Sequence, residues 1–540
     1  MNRKPTADEV FSDPPPPEPE PDEPVSLDAE RARRRGTADA SPPSQATQLV
    51  DMAKARYRIV KDDSGHIYAE DHHRPGIAVP LRGNGGVRQE LSSAFYAATG
   101  RAATGAALAD AVMVLEGEGM RCDPVPVFLR SGQLPDGTRL LDLGTEYGAT
   151  VALDADGWRV AETPPALFRR SALSAPMPAP VEGGSLDQLR VLINCDEEGF
   201  RLIVGWMLVA LCEDVQSPIL ALTGQQGSAK STALRMIVAL VDASAAPLKS
   251  PPRNEDAWAS AAHASAVVGV DNFSSCPPWF SDTLARTVSG DAVIKRAHYT
   301  DNDVAVVRYR RPVALSSISP EGLQADVADR MCTVELTPIT AGNRRMERDL
   351  WDEFEASRPA ILGALLDLLV LVEVELPNTR PENLPRLADA GLRFAALDRV
   401  TGWDVLTTFK SSQASAAVNV VDSDVFAGAL ATFARERGTF TGTATELLAQ
   451  LTPDNPPRSW PRTPRAASSK LLRLAPAMKS AGVLVEQLDR TKHGRPWRIS
   501  EVLATSADTA RTCAVCAEPL SELTPDSTTV HPTCDTEDNR

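Results

Sequence analysis

A glycine-rich loop between an apolar strand and an amphipathic helix constrains this chain more than any other feature of its sequence. Residues 219–223 form a short apolar run typical of a buried strand, and the helical pattern after the loop extends to Val241. A triphosphate is wrapped by backbone N–H groups, so such a loop needs glycines for unusual φ angles and gains from the positive end of a helix dipole. Lys230 is placed to reach the β and γ phosphates, and the Ser231 hydroxyl to ligate Mg²⁺. The sequence therefore predicts an ATP site formed by Gly224, Gln225, Gln226, Gly227, Ser228, Ala229, Lys230, Ser231 and Thr232.

One position of this loop departs from the usual pattern. Ala229 stands where a glycine ordinarily precedes the lysine. We expect a right-handed φ angle at this residue, because that conformation admits a Cβ atom. A glycine-rich loop that joins a strand to a helix without binding nucleotide is the alternative interpretation.

A second apolar strand ends in a carboxylate. Residues 266–270 are apolar and Asp271 follows them, as expected for the acid that holds the Mg²⁺ ion in a P-loop enzyme. Asn272 comes next, where many ATPases have a glutamate that orients the attacking water. An amide can position water but cannot accept its proton. Asp282 is a second candidate for that role, although an exposed acid on a helix is the commoner explanation.

The length of 540 residues is too great for one core, and about 150 residues per domain suggests three or four units. Strand and helix signals alternate across the P-loop region, which is typical of a parallel α/β sheet. We expect a disordered, acidic, Pro-rich tail over residues 1–50, a small β-rich domain of unknown role at 56–180, a helical collar at 186–216, the P-loop core at 217–340, a helical region at 341–437, a winged-helix-like module at 438–500 and a metal-binding tail at 508–540.

Several protein classes are excluded at this stage. The apolar runs are shorter than the about 20 residues that a bilayer requires, and the N-terminus lacks the apolar segment of a secretory signal. We therefore expect a cytoplasmic protein without a membrane partner. The net charge of −16 is unlike that of a uniformly basic nucleic-acid binder, so any DNA contact must be a local patch.

The segment from about 186 to 340 resembles the superfamily 3 and poxvirus-type primase-helicase ATPases of phages and integrated elements. The resemblance rests on TGQQGSAKST, VVGVDNFSSCPPWFSDTLARTVSGDAVIKRAHYTDND, RRPVALSSI and DVADRMCTVEL, which occur in the family order. It implies an AAA+-related P-loop core that forms a ring, with a hexamer expected, and it assigns the polar sensor position to Ser316. The resemblance also implies that Arg330 is an arginine finger that reaches the neighbouring subunit's nucleotide. An ion pair within the chain, to Asp326 or Asp329, is the alternative for Arg330.

A β-hairpin is predicted after the second acidic strand, with its arms at residues 293–299 and 304–309. By resemblance it would project into the channel of the ring, where Lys295, Arg296 and His298 would contact DNA phosphates. Asp301 and Asp303 at its tip would repel phosphates, so a hairpin that only contacts solvent is the alternative.

A concentrated basic patch lies near the C-terminus. Residues 458–498 contain ten Lys or Arg against two acids, and their helices followed by a basic hairpin suggest a winged helix. Residues 468–480 would be the recognition helix and 492–498 the wing. Trp460 and Trp497 could stack on bases or anchor the small core. The candidate DNA contacts are Arg465, Lys470, Arg473, Lys492 and Arg495.

The last residues contain two pairs of metal-ligand residue types. Cys513, Cys516, His531 and Cys534 have the spacing of a tetrahedral Cys₃His zinc site, which would be structural because it is closed. Chance clustering is the alternative.

Taken together, these features predict an ATP-dependent helicase or translocase of phage or mobile-element DNA replication. It would act on single-stranded or forked DNA and could bind replication proteins through its tails. A second hypothesis is an ATP-switched origin-binding or assembly regulator, in which Ala229, Asn272 and Ser316 reflect slow hydrolysis. Primer synthesis is not expected, because Asp154 and Asp156 are the nearest approach to paired metal carboxylates and lie in a turn.

Overall fold

The computed structural model describes residues 43–83, 85–296, 304–318, 323–492 and 494–501. The chain divides into two compact units. The first comprises residues 1–55 and 82–118, and the second comprises residues 56–81 and 119–540. The four predicted zinc ligands lie outside the described residues.

The described part of the first unit is helical. Its helices are α1 (Gln45–Arg56), α2 (Val87–Thr99) and α3 (Gly105–Gly119). The prediction of disorder up to residue 50 is wrong at its boundary, because α1 begins at Gln45 and buries Leu49 and Val50. These two side chains and that of Ala53 form one apolar face, which offsets the entropy of ordering the helix.

The N-terminal part of the second unit consists of two sheets. The first has the strand order β1-β2-β3-β9-β4, and the second is an antiparallel meander of β5-β6-β7-β8. The strands are β1 (Tyr57–Lys61), β2 (Ile67–Asp71), β3 (Ile77–Pro80), β4 (Val127–Phe128), β5 (Ser131–Gln133), β6 (Arg139–Asp142), β7 (Thr150–Asp154), β8 (Gly157–Ala161) and β9 (Leu167–Arg169).

The predicted collar is interrupted. It consists of α4 (Asp187–Arg190) and α5 (Glu197–Ala210) instead of one continuous helical stretch. The break occurs because Asp196 is extended and caps α5, its side chain accepting a hydrogen bond of 2.7 Å from the Gly199 amide.

A five-stranded parallel sheet with the order β11-β12-β15-β10-β16 forms the centre of the second unit. The P-loop strand β10 therefore lies between β15 and β16. The elements of this region are β10 (Ile219–Thr223), α6 (Lys230–Val241), β11 (Leu248–Lys249), α7 (Glu255–Ala264), β12 (Val268–Val270), α8 (Pro278–Ser289), β13 (Asp291–Arg296), β14 (Val304–Tyr309), β15 (Val313–Ser316), α9 (Ala325–Ala328) and β16 (Met331–Glu335).

Alternate residues of β10 enter different apolar clusters, as the period of a strand requires. Leu220 and Leu222 pack in the cluster that contains α5 and α6, whereas Ile219 and Ala221 pack in the cluster that contains α7 and α8. Each of these four side chains is at most 2% exposed. The sheet is thus covered on both faces. Polar groups can therefore lie together only at the ends of its strands.

The C-terminal region begins with helices and ends in a small three-stranded sheet of order β17-β19-β18. Among the described residues, no single helix meets the length and hydropathy test for a membrane span; only the pair α12 and α13, bent by 100° at their junction, meets it together. The elements are α10 (Glu347–Glu375), α11 (Ala388–Thr401), α12 (Val405–Ser423), α13 (Val425–Arg437), β17 (Phe440–Gly442), α14 (Ala444–Leu451), α15 (Pro464–Ser480), β18 (Val483–Gln487) and β19 (Trp497–Glu501).

A buried arginine joins the N-terminal sheets to the parallel sheet. Arg130, which is 2% exposed, donates 3.1 Å to Asp242 Oδ1 and 2.8 Å to the Ala243 carbonyl, just after the P-loop helix α6. The other carboxylate oxygen of Asp242 accepts hydrogen bonds from the Ala266 and Val267 amides that lead into β12. One carboxylate therefore connects the helix of the P-loop, the strand of the second acid and the N-terminal sheets.

We expect Arg130→Ala to lower the free energy of unfolding by about 3–5 kcal/mol, because it leaves the buried Asp242 carboxylate without its cation. Urea denaturation of the whole chain checks this. Arg159→Ala is the matched control, since Arg159 pairs with Asp154 with a side chain that is 66% exposed, and its loss should cost less than about 1 kcal/mol. Equal effects of the two substitutions would contradict the structural role of Arg130.

Candidate nucleotide site

The loop after β10 depends on positive φ angles at two of its glycines. Gly224 has a φ of 136° and Gly227 a φ of 86°. A Cβ atom on Gly224 would lie 2.4 Å from the Leu336 carbonyl oxygen, so no larger residue fits there. Gln225, Gln226 and Gly227 are exposed, whereas Ser228 is buried and donates to the Gln225 carbonyl at 2.9 Å.

Ala229 adopts the left-handed conformation, with φ 60° and ψ 28°. The expectation of a right-handed φ at this position is therefore wrong. A residue with a Cβ atom loses about 1–2 kcal/mol in this conformation, because the Cβ approaches the following carbonyl oxygen. Ala229 thus adopts the conformation of the usual glycine at a cost in conformational free energy, and the turn of the loop is kept.

The side chain of Lys230 lies along the loop. Its ammonium donates hydrogen bonds of 2.8 Å to the carbonyl oxygens of both Gly224 and Gln225. Burial lowers the pKa of Lys230, and the nearby Asp271 carboxylate offsets part of that effect. The loop carbonyls therefore hold a cation at the centre of the loop, at the first residue of α6. Thr232, the last residue of the predicted site, is half-buried in the same turn.

Three polar side chains meet at the carboxyl edge of the sheet. The Ser231 hydroxyl donates to Asp271 Oδ1 at 2.8 Å, and the Ser316 hydroxyl forms a short hydrogen bond with the same oxygen. Asp271 follows β12 and Ser316 ends β15, so adjacent parallel strands bring them together. Hydroxyl and carboxylate oxygens are the ligands that Mg²⁺ prefers, and this donor set fits that ion. Ser231 and Asp271 are the residues that would hold it.

Asn272 contributes its backbone to this arrangement. It has a φ of 56°, which Asn tolerates better than most residues, and its amide donates to the Ser316 hydroxyl at 3.2 Å. Its side chain is exposed. Asp282 is also exposed, on α8.

Arg330 forms an ion pair within the chain, and its role as an arginine finger stays a prediction. The residue is 7% exposed and its guanidinium lies 2.8 Å from Asp326 Oδ2, four positions earlier in the chain. Burial alone would raise the pKa of the Asp326 carboxyl, but Arg330 and Arg386 hold it below its usual value. The alternative of an ion pair within the chain is the arrangement that is present.

Arg344 was missed by the sequence analysis and lies beside the loop. Its Nη2 atom is 3.7 Å from the position that a Cβ on Gly227 would occupy, and the Ile339 amide donates to the Gly227 carbonyl at 3.3 Å. Arg344 is exposed, and no carboxylate within ion-pair distance is found for it among the described residues, whereas the next residue, Arg345, pairs with Glu353. The approach of Arg344 to the loop follows from the parallel pairing of β16 with β10, which carries the segment after β16 past the loop.

The predicted hairpin is formed by β13 and β14, which pair antiparallel from Asp291↔Tyr309 to Arg296↔Val304. Lys295 and Arg296 lie in β13, where the structure describes only their backbone. His298 and the acidic tip lie outside the described residues. The candidate DNA contacts of the hairpin therefore remain predictions.

The predicted contacts on the C-terminal module differ in exposure. Arg465 and Arg473 are exposed on α15, and Lys492 and Arg495 are exposed between β18 and β19. Lys470 is different: its side chain is 15% exposed and its ammonium lies 2.8 Å from Asp424 Oδ2. Lys470 thus forms an internal ion pair, because its position on α15 faces the start of α13 and the Phe426 ring, and its contact with DNA stays a prediction.

The two tryptophans of this module belong to its core. Trp460 is 4% exposed and packs edge-on against Phe426, and Trp497 is 1% exposed. Neither indole is placed to stack on a base. Of the two interpretations, anchoring of the small core is the one that the structure supports.

Comparisons with known proteins agree with the mobile-element setting. Residues 186–418 match the family model of the actinomycete integrative conjugative element replication protein, and residues 426–512 match that of the RepA C-terminal domain of these elements. The two matches follow one another and together cover more than half of the chain. This chain is a replication protein of a mobile element. No curated protein matches it significantly.

Similar solved structures include two apo structures of the C-terminal region of NrS-1. One is 10% identical with a TM-score of 0.36 and covers 84% of this chain and 99% of that chain. The other is 9% identical with a TM-score of 0.35 and covers 85% of this chain and 100% of that chain. A likeness this low supports no comparison of individual residues.

The conformation of Ala229 makes a prediction about glycine substitutions. We expect Ala229→Gly to raise the free energy of unfolding by up to about 1 kcal/mol, because the relieved strain exceeds the entropy that glycine adds to the unfolded chain. The same substitution at Ala233, inside α6 and 3% exposed, should lower it by about 1 kcal/mol or more. Urea denaturation of both variants checks the opposite signs. A similar loss at both positions would mean that Ala229 is not left-handed.

Proposed function

We propose that this replication protein is an ATP-driven DNA translocase or helicase. The observation that carries the proposal is the convergence of Lys230, Ser231, Asp271 and Ser316 at the carboxyl edge of the parallel sheet. A nucleoside triphosphate with its metal ion requires a cation, a hydroxyl and a carboxylate, which Lys230, Ser231 and Asp271 supply. The order of the strands supports an AAA+-like core, because β15 separates the P-loop strand from the acidic strand and carries a polar residue between them.

In this proposal each group has a separate task. Lys230 exchanges its two loop carbonyls for oxygens of the β and γ phosphates, so its charge is already at the loop before substrate arrives. A bound Mg²⁺ ion would supply charge neutralisation at the phosphates, held through Ser231 and Asp271. Ser316 orients the Asp271 carboxylate. The exposed side-chain amide of Asn272 orients water.

Arg344 is the arginine that we assign to the phosphates. It is exposed beside Gly227, and among the described residues no carboxylate neutralises it, so an incoming anion would be its first charged partner. Arg330, by contrast, pairs with Asp326 within the chain. A ring remains part of the proposal through the resemblance of the motifs, and a hexamer is the expected form.

DNA would be bound by the C-terminal module. The order of α13, β17, α14, α15, β18 and β19 is that of a winged helix, with β17 pairing with β19. Arg465 and Arg473 on α15, with Lys492 and Arg495 on the wing, form an exposed basic surface. We also propose that Cys513, Cys516, His531 and Cys534 hold a structural zinc ion, which zinc analysis of the purified chain would test.

ATP hydrolysis with and without single-stranded DNA tests the proposal. We expect the wild type to be stimulated by DNA, Lys230→Ala to lose activity, and Arg344→Ala to lose about 10-fold to 1000-fold in kcat through the missing phosphate contact. Arg345→Ala is the matched control, because the Arg345 guanidinium pairs with Glu353. Unwinding of a forked duplex by the same samples separates a helicase from a translocase.

A second function, an ATP-controlled switch that binds DNA at an origin, is favoured by two observations. Asn272 occupies the place where a glutamate would orient water, and Arg330 is held by Asp326. Tight ATP binding with negligible turnover, coupled to assembly on DNA, would select the switch and contradict the motor. A wild-type chain that neither binds nor hydrolyses ATP would exclude both functions.

A further inference from the structure

A second cleft, away from the P-loop, lies at the base of the β13–β14 hairpin. Its volume is about 890 Å³, and it is lined by the turn between β1 and β2, by β9, by the end of α7 and by the first and last residues of the hairpin. Sites for small ligands have volumes of about 300–1,000 Å³. The cleft therefore has room for a nucleotide-sized portion of a polymer.

Arginines dominate the lining of this cleft. Arg169 belongs to β9, Arg308 to β14, and Arg310 and Arg311 follow directly after β14. Arg308 is exposed, while Arg311 is buried at 7% exposure. Four guanidinium groups from two segments of the chain, β9 and the end of β14, thus line one cavity.

Most of these cations are held by neutral groups. Arg169 donates to the His263 carbonyl at 3.0 Å, Arg310 donates to the Glu213 carbonyl, and Arg311 donates to the Ala262 carbonyl at 3.0 Å. Backbone carbonyls fix the orientation of a guanidinium group without cancelling its charge. For the Arg308 side chain no hydrogen bond or ion pair is found within the described part of the chain. The cleft therefore keeps most of its positive charge.

The carboxylates of the cleft are already engaged. Asp62 accepts hydrogen bonds from the backbone of its own turn and lies 3.1 Å from His66 Nδ1. Asp291 accepts a hydrogen bond from the Tyr309 hydroxyl at 3.2 Å and pairs with Arg286, which is not part of the lining. Glu213 faces Arg311 at 3.8 Å. Arg286 balances Asp291, so Asp62 and Glu213 are left to balance the four arginines.

The titration of the two central groups agrees with this crowding. Burial lowers the pKa of Arg311 to about 10; Glu213 acts against that shift, whereas Arg169 and Arg310 add to it. Burial raises the pKa of the Glu213 carboxyl, and Arg311, Arg310 and Arg169 act against that shift. An anion that enters from solvent would stabilise these neighbouring guanidinium charges.

We propose that this cleft binds the phosphodiester backbone of single-stranded DNA. A single strand presents regularly spaced phosphates that guanidinium groups contact without reading sequence. The cleft lies at the base of the hairpin. A DNA strand that contacts the hairpin would therefore pass it. The inference rests on the proposed DNA-dependent function but not on ATP turnover, so DNA binding measured without nucleotide tests it separately.

Binding of a fluorescein-labelled oligothymidylate to the full chain, measured by anisotropy over a series of salt concentrations, tests the cleft. We expect Arg308→Ala to weaken binding about fivefold to tenfold and to reduce the slope of log K against log salt by about 1, since one phosphate contact is lost. Arg308 is exposed and without a partner in the described chain, so its removal should leave the melting temperature unchanged. Arg169→Ala should act in the same direction.

The matched control is Arg159→Ala, which removes another exposed arginine, from β8 and outside the cleft. It should change neither the affinity nor the salt slope. Wild-type values for both Arg308→Ala and Arg169→Ala would overturn the proposal. Displacement of the oligonucleotide by inorganic phosphate at constant ionic strength would also overturn it, because the cleft would then be a site for a small anion.

Discussion

The hydrogen bonds that Asp271 Oδ1 receives from Ser231 and Ser316 connect the three elements on which the candidate site depends. Ser231 belongs to the helix after the P-loop, Asp271 follows the second acidic strand, and Ser316 ends the strand between that strand and β10. A carboxylate with two hydroxyl donors fixes the relative position of these elements to within the length of a hydrogen bond. β10 lies inside this sheet, between β15 and β16, and is buried on both faces.

The same logic extends from the site to the rest of the second unit. Asp242, at the far end of α6, joins that helix to the entry of β12 and, through Arg130, to the N-terminal sheets. A shift of α6 would therefore act both on β12, the strand that precedes Asp271, and on the N-terminal sheets. The arginine-lined cleft lies between one of those sheets and the hairpin.

The sequence predicted the elements that have a strong local signature. The strand, loop and helix of the P-loop, the acidic strand before Asp271, the hairpin arms and the two strands of the wing all follow from apolar periodicity and turn residues. Tertiary contacts decided what it predicted wrongly or missed. The left-handed Ala229, the pairs formed by Arg330 and Lys470, and the approach of Arg344 to Gly227 depend on which neighbour each side chain meets. The start of α1 within the predicted tail depends on burial of Leu49 and Val50.

Calorimetric titration of ATP into the full chain, with and without Mg²⁺, tests the central role of Asp271 most directly. The account predicts ATP binding by the wild type that Mg²⁺ strengthens, and an Asp271→Asn variant that still binds ATP but gains little from Mg²⁺, because the carboxylate that holds the ion is gone. Asp282→Asn, which changes the exposed acid on α8, should behave as the wild type. An Asp271→Asn variant with an undiminished response to Mg²⁺ would contradict the account.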